Sequence, residues 1–208
     1  MKRGKFITLE GIDGAGKSTQ LEKIAAFLRS KGLNAMVTRE PGGTPLGEQL
    51  RTLLLDKTTV MCPETEALLM FAARQEHLDK VIMPALEQGK WIISDRFTDA
   101  SFAYQGGGRG LDNEKLAFLA QWIHGNIQPD LTLYFDVPVE LGKQRINQLN
   151  MVDRFEKERK DFFQRVRTAY LERVKEFPDR IRHIDASQPL AAVHVVVEEI
   201  LENLLVHE

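Results

Sequence analysis

The stretch Gly11-Ile12-Asp13-Gly14-Ala15-Gly16-Lys17-Ser18 fits the phosphate-loop pattern G-x-x-x-x-G-K-[ST]. In such loops the small residues let backbone N–H groups surround phosphate oxygens, the lysine reaches the terminal phosphates, and the serine binds magnesium. The β-prone run 5–9 comes before the loop, and residues 16–30 have the apolar spacing of a helix. Strand, loop and helix thus follow one another in the order that a phosphate loop requires.

The rest of the chain repeats this alternation of strands and helices. Short apolar runs typical of buried strands occur at 35–38, 91–94, 131–135 and 181–184, and helical spacing occurs between them, including 46–55, 64–88 and a last helix from Pro189. This pattern predicts an α/β fold of the P-loop NTPase type, in which a parallel five-stranded sheet has helices on both faces. With 208 residues, we expect a single domain, 1–208, whose ligands lie at the carboxyl ends of the strands.

Composition excludes several classes of function. The 28 basic and 30 acidic residues give a net charge of -2, so we expect no nucleic-acid partner recruited by a general positive field. The single cysteine, Cys62, excludes an intrachain disulfide and a thiolate metal cluster. No apolar run approaches the ~20 residues that cross a bilayer, and Met1–Gly4 leads into a strand, not into a signal-peptide core. We therefore expect a cytoplasmic protein with no membrane partner.

An acidic residue at a strand end is the expected second half of a magnesium site. Asp95 follows the apolar run 91–94, and Asp136 follows 131–135, so both are candidates. We favour Asp95 because Arg96 comes directly after it and adds a cation for an acceptor phosphate. Asp136 is interpreted as a cap or turn residue before Pro138, and Asp185 as a helix cap.

Phosphoryl transfer needs positive charge around the migrating group. The variable loop positions, Ile12 to Ala15, contain no arginine, so the charge has to come from elsewhere. The charged, poorly periodic segment of about 145–160 predicts a mobile lid with three candidate arginines, Arg145, Arg154 and Arg159; Arg154 is the first choice. Asp153 with Glu156 also resembles an N-cap pair that opens a helix through Tyr170.

Five blocks of sequence together resemble the thymidylate kinase family of the bacterial type, and the resemblance extends over essentially the whole chain. The second and fifth blocks are specific to that family, whereas the phosphate loop is shared widely. The blocks are Glu10–Thr19, Thr38–Thr44 (TREPGGT), Phe71–Arg74 (FAAR), Ser94–Phe97 (SDRF) and Ala103–Gly110 (AYQGGGRG).

The resemblance implies ATP-dependent phosphorylation of dTMP to dTDP with Mg²⁺. Four residues would then be catalytic: Lys17, Asp95, Arg96 and Arg154. The loop residues would bind ATP, namely Gly11, Ile12, Asp13, Gly14, Ala15, Gly16, Lys17, Ser18 and Thr19, with Ser18 and Asp95 at the metal.

The resemblance also implies a dTMP site. Arg39 and Arg96 would bind the acceptor phosphate, and Asp13 the deoxyribose 3′-hydroxyl. Phe71 would stack on thymine, Tyr104 would lie under the sugar where a 2′-hydroxyl would clash, and three residues would hydrogen-bond the edge of the base: Arg74, Ser101 and Gln105.

The chain departs from the family pattern at two places. Phe97 replaces the usual tyrosine after Asp95-Arg96, so any role of that hydroxyl is absent. Residues 148–151 (QLNM) lack an arginine that relatives often carry, which leaves Arg154 as the lid candidate.

Three other functions are weighed against this one. Another P-loop kinase of small molecules is the nearest. A nucleotide-binding switch is less favoured because the chain lacks the Asn-Lys-x-Asp tetrapeptide of GTPase switches, and an inactive binding module is disfavoured because Lys17, Ser18 and Asp95 are present. The resemblance also suggests a homodimer, with apolar surface around Leu69, Met70 and Phe102–Ala117 available for it.

Overall fold

The computed structural model describes residues 3–147, 154–155 and 158–206. Within them, five parallel strands form one sheet with the order β2-β3-β1-β4-β5, which confirms the predicted α/β fold. The strands are β1 (Phe6–Glu10), β2 (Ala35–Arg39), β3 (Trp91–Asp95), β4 (Leu131–Asp136) and β5 (Ile181–Asp185).

Helices cover both faces of this sheet. Alternate residues of β1 belong to different apolar clusters, since Ile7 and Leu9 pack in one and Phe6 in another. The helices are α1 (Lys17–Ser30), α2 (Pro45–Leu55), α3 (Pro63–His77), α4 (Met83–Glu87), α5 (Thr98–Ser101), α6 (Asn113–His124), α7 (Val139–Asn147), α8 (Lys160–Glu176) and α9 (Leu190–Val206).

Two π-helical segments interrupt the helical pattern. Leu78–Ile82 divides the helix predicted over 64–88 into α3 and α4, and Phe102–Gly108 follows α5 directly. The second segment carries Tyr104 and Gln105, in keeping with the tendency of π turns to occur at functional sites.

The start of α8 differs from the prediction. It begins at Lys160 after an extended Arg159, and not at a cap near residue 153. Asp153 and Glu156, the predicted N-cap pair, lie outside the described residues, as do residues 148–151.

The register of the sheet positions the site. Leu9 is paired with Asp95, and Asp95 with Arg39, so the loops after β1, β2 and β3 emerge side by side. Among the described residues, no helix is both long and apolar enough to cross a membrane.

Candidate active site

The phosphate loop depends on glycine at its turn and at its helix start. Gly14 has φ 77° and Gly16, the N-cap of α1, has φ 87°, a region that side chains with a Cβ avoid. At Gly14 a Cβ would also collide with the backbone of Gly142. The first N–H groups of an α-helix have no acceptor within the helix, and the helix dipole favours negative charge there. The loop at the start of α1 is therefore suited to bind an anion.

Lys17 lies folded over the loop. Its ammonium Nζ donates to the carbonyl oxygens of Gly11 and Ile12 at 3.0 and 3.1 Å and lies 3.6 Å from Asp13 Oδ1. The side chain is only 6% exposed, and burial, followed by the nearby Arg96 cation, lowers its pKa below the usual lysine value. A buried ammonium held by carbonyl oxygens is well placed to exchange them for phosphate oxygens.

Arg96 connects the loop with the neighbouring strand. Its backbone has φ 71°, the one positive φ of a non-glycine residue in the described part of the chain. Its guanidinium donates to Gly11 O at 3.0 Å, Asp13 Oδ1 at 2.8 Å and the Tyr104 hydroxyl at 3.0 Å. Strained backbone of this kind persists where surrounding contacts hold it, and it clusters at functional sites.

Asp13 is the anionic member of this group. Burial acts to raise its pKa, but the charges of Arg96 and Lys17 outweigh burial and hold the pKa below the usual aspartate value. Asp13, Lys17 and Arg96 therefore form one charged cluster at the loop.

Asp95 has the properties of a metal ligand. Its Oδ1 is buried and has no hydrogen-bond partner among the residues that the structure describes. Its side chain lines the same groove as the exposed Ser18. Mg²⁺ in phosphate sites takes one or two protein oxygens and completes its shell with water and phosphate, so this pair fits it.

Asp136 is already engaged elsewhere. Its two oxygens accept from Arg167 Nε and Nη2 at 2.7 and 2.8 Å, and Oδ1 also accepts from the Tyr134 hydroxyl at 3.0 Å. The side chain of Asp136, the rival to Asp95, is therefore held in an ion pair, where we had predicted a cap or turn residue. Asp185 accepts from Ser187 and Gln188 in the turn before α9.

A cavity next to the loop brings together most of the predicted acceptor residues. Arg74, Arg96, Ser101, Tyr104, Gln105 and Asp13 line it, together with Arg51, Met70 and Phe155. Phe155 covers Tyr104 with ring centroids 5.6 Å apart.

Arg74 is held rigidly at the wall of this cavity. Its Nε donates to Glu40 Oε2 at 2.7 Å, and its Nη2 donates to Phe97 O and to Ser101 Oγ at 3.0 and 3.1 Å. Nη1 is buried and finds no acceptor in the described chain. Buried polar groups are normally hydrogen-bonded, so this nitrogen is a candidate donor to a ligand.

The residue of α3 that lines the cavity is not the Phe71 that we predicted to stack on the base. Phe71 is 1% exposed and packs with Ala67 and Leu116 in a core cluster, whereas Met70 lines the cavity. Met70 precedes Arg74 by four residues, so the two lie on one face of α3. Met70, one residue before Phe71, is therefore the apolar side chain that α3 presents to the cavity.

The arginine of the cavity wall also differs from the one we predicted, because Arg51 lines the cavity and Arg39 does not. Arg39 is 54% exposed, pairs with Glu48 at 2.9 Å, and lines the groove of Ser18 and Asp95, not the cavity. Arg51, which we did not predict, lines the cavity and donates to Pro41 O at 2.9 Å. Burial, followed by the charge of Arg39, lowers the pKa of Arg51. As an arginine on the otherwise mainly apolar α2, it carried a signal that we overlooked.

The three arginines of the predicted lid lie in different surroundings. Arg145 Nη1 donates to Gly14 O at 3.3 Å and Ala186 O at 3.0 Å, beside the loop. Arg154 Nη2 donates to Glu66 Oε2 at 2.6 Å and Nε to Leu54 O at 2.8 Å, on the acceptor side. Arg159 is 91% exposed.

Comparisons with known proteins agree with this geometry. The sequence model described as "Thymidylate kinase" matches residues 9–197. A thymidylate kinase of Nitrosospira multiformis is 64% identical over 202 residues, covering 97% of this chain and 98% of the relative. One of Nitrosomonas europaea is 63% identical over 203 residues, covering 98% and 94%. The crystal structure of the thymidylate kinase from Ehrlichia chaffeensis superposes with a TM-score of 0.78 at 35% identity, covering 96% of this chain and 99% of that one.

Proposed function

The chain belongs to the thymidylate kinase family, and on that premise we propose that it transfers the γ-phosphoryl group of ATP to dTMP, giving dTDP and ADP. The observation that carries the proposal is the single cavity in which Asp13, Arg51, Arg74, Arg96 and Gln105 meet beside a phosphate loop. Arginines in the wall of a cavity beside the phosphate loop suit an acceptor that itself carries a phosphate group.

The phosphate loop binds the donor. Backbone N–H groups from Gly11 to Thr19 surround the phosphates of ATP, and Lys17 exchanges its loop carbonyls for the terminal phosphates. Ser18 and Asp95 hold Mg²⁺, which when bound neutralises charge on the β- and γ-phosphates. Asp95 is placed for this because β3 ends beside the loop.

The cavity binds the acceptor. Arg96 and Arg51 hold the dTMP phosphate near the loop, and Asp13 accepts from the sugar 3′-hydroxyl. Arg39, on the far side of Asp95, contributes at longer range. The base then lies against Met70, with Tyr104 under the sugar and Arg74, Ser101 and Gln105 at its edge, while Phe71 supports Arg74 from below, 4.7 Å from its guanidinium.

Arg154 supplies charge to the migrating phosphoryl group. In this structure, Arg154 pairs with Glu66 on the acceptor side of the loop. Segment 145–160 acts as the lid that carries Arg154 to the phosphoryl group. Arg145 stays at the loop as a second cation.

A coupled assay with ATP, magnesium and a panel of nucleoside monophosphates tests the function. We expect turnover of dTMP well above that of the other monophosphates. No preference for dTMP would favour the nearest alternative, another P-loop kinase of small molecules, and much tighter binding of GTP than ATP would favour a switch.

We also propose a cytoplasmic homodimer. Exposed apolar side chains on the packed helices α3 and α6, namely Leu68, Phe118 and Trp122, support the dimer; Trp122 is 72% exposed. This surface differs from the predicted one, because Met70 lines the cavity and Arg173 covers Phe102, 4.3 Å from its ring. Analytical ultracentrifugation of the wild type and of Trp122→Glu tests the dimer. The wild type should sediment with the mass of a dimer and the variant with half that mass, that of a monomer. A monomeric wild type would contradict the proposal.

A further inference from the structure

Glu66 is a buried carboxylate that touches three side chains of the acceptor region. It is 1% exposed and lies on α3 four residues before Met70, which itself precedes Arg74 by four. Its Oε1 accepts from Gln105 Nε2 at 2.8 Å. Its Oε2 accepts from Arg109 Nε at 3.1 Å and from Arg154 Nη2 at 2.6 Å. Neither composition nor motif spacing had singled out this residue.

This arrangement determines which way the Gln105 amide points. A carboxylate held by two arginines has acceptors only, so Gln105 has to turn its NH₂ group toward Glu66. The amide carbonyl oxygen then remains as the acceptor of a side chain that lines the cavity. Without Glu66, nothing in this contact would distinguish the oxygen of the Gln105 amide from its NH₂ group, which have nearly the same shape, and the amide could rotate to swap their positions.

The cavity thereby presents one donor and one acceptor to a base. Arg74 Nη1 is the donor, because it is buried and has no partner within the described residues. Gln105 Oε1 is the acceptor. Thymine offers the matching edge, with O4 as acceptor and N3–H as donor, whereas cytosine offers an amino group and an unprotonated N3.

We propose that Glu66 is a positioning residue that makes the kinase reject cytosine nucleotides by fixing the orientation of Gln105. The inference rests on the proposed function, because it assumes that the base lies at Arg74 and Gln105. Glu66 acts through Gln105 and does not itself touch the substrate.

The test compares dTMP with dCMP in Glu66→Gln. Arg109 and Arg154 will draw the new amide's carbonyl oxygen toward themselves, so its NH₂ group will face Gln105 and turn that amide over. Gln105 would then offer NH₂ at N3 of the base, which accepts in cytosine and donates in thymine, while Arg74 still donates toward the 4-position; the change therefore penalises dTMP and removes one of the two mismatches with dCMP. We expect the ratio of kcat/KM for dTMP to that for dCMP to fall about 10- to 100-fold. Effects on Arg154 slow both substrates alike and cancel in this ratio.

Two further variants control for charge and folding. Arg109→Met removes one arginine and leaves the contact between Glu66 and Gln105, so its ratio should equal that of the wild type. The double variant Glu66→Gln with Arg109→Met removes one negative and one positive charge, so the buried cluster keeps its net charge. It serves as the folded test protein if Glu66→Gln alone has a much lower melting temperature than the wild type. Its ratio should fall as far as that of Glu66→Gln.

The outcomes separate the two proposals. A wild type that does not turn over dTMP overturns the proposed function. A wild type that prefers dTMP, together with an unchanged ratio in either folded Glu66 variant, overturns the role of Glu66 alone. A fall in the ratio for Arg109→Met as well would also overturn it, because the effect would then come from the arginine.

Discussion

The phosphate loop and the acceptor cavity lie side by side at the carboxyl edge of the sheet, but they are built differently. The loop is a run of consecutive residues, 11–18, whose phosphate-binding groups come from that run and whose lysine contacts the carbonyls of Gly11 and Ile12 within it, although Arg96 and Arg145 also donate to it. The cavity takes its wall from segments far apart in the chain, from Asp13 to Phe155. Two of its polar side chains are held by partners distant in sequence, Arg74 by Glu40 and Gln105 by Glu66.

This difference predicts how each region responds to substitution. In the loop, we propose that one side chain, Lys17, acts directly on the phosphates, so its removal should affect chemistry and leave the fold intact. In the cavity, a side chain acts with the ion pairs that orient it, so its removal should change affinity and selectivity. Four experiments, from the largest expected effect to the smallest, test this contrast.

Lys17→Ala should lower kcat by about 1,000-fold or more, because the transferred phosphoryl group loses its fixed cation. Circular dichroism and melting should stay close to the wild type. Lys31→Ala, at the exposed far end of the same helix, is the matched control and should keep full activity. A substantially active Lys17→Ala would contradict the phosphate-loop assignment.

Arg154→Ala should lower kcat by roughly 100-fold and weaken ATP binding much less, as expected for an interaction made mainly in the transition state. Arg159→Ala is the control, because that side chain is largely exposed. Steady-state kinetics with binding measured by calorimetry separates the two quantities. Equal losses in both would make Arg154 a ground-state ligand.

Arg51→Met should raise the KM for dTMP about tenfold and leave the KM for ATP nearly unchanged, because one charge-assisted contact to the acceptor phosphate is lost. Arg39→Met, made in parallel, should have the smaller effect, since Arg39 is exposed and paired with Glu48. A larger effect of Arg39→Met than of Arg51→Met would indicate that Arg39 binds the acceptor phosphate, as the sequence resemblance implied.

Glu10 links the two regions and should change the pH dependence of stability. Its oxygens accept from Phe97 N at 2.8 Å and the Tyr170 hydroxyl at 2.7 Å, and burial, followed by the charge of Asp99, raises its pKa to about 8. The unfolded value is about 4.3. The neutral carboxyl therefore stabilises the fold fully below about pH 4.3, and this contribution is lost as the pH rises toward 8.

Glu10→Gln should remove that loss. The melting temperature of the variant relative to the wild type should rise between pH 5 and 8 by roughly 2–4 °C or more, since the amide does not ionise. Glu22→Gln, on the exposed face of α1, should show no such trend. A constant difference across this range would contradict a raised pKa at Glu10.

Short-range patterns were enough to predict the sheet, the five strands of the described residues and the loop. A strand buried on both faces is apolar throughout, and a phosphate loop needs glycine at particular backbone positions, so both leave local signals such as 91–94 and Gly16. The π turn at Leu78–Ile82 left no such signal, because the apolar spacing of a helix tolerates one widened turn.

The acceptor residues were predicted less well for a physical reason. Sequence spacing could not decide between Phe71 and Met70, because the two adjacent apolar residues of α3 fit a core stripe almost equally. Only the packing of α3 against α6 buried Phe71 and turned Met70 to the cavity. Likewise, only the fold showed that Asp136 is held by Arg167, while one oxygen of Asp95 has no partner among the described residues.

The sequence by itself therefore determined the phosphate loop, our proposed donor site, because contiguous residues make a loop whose geometry depends largely on their own backbone. The tertiary structure decided the acceptor site. There, Glu66 and Glu40 meet Gln105 and Arg74 across 39 and 34 positions of the chain, and such partners are chosen by the packing of helices and not by local spacing.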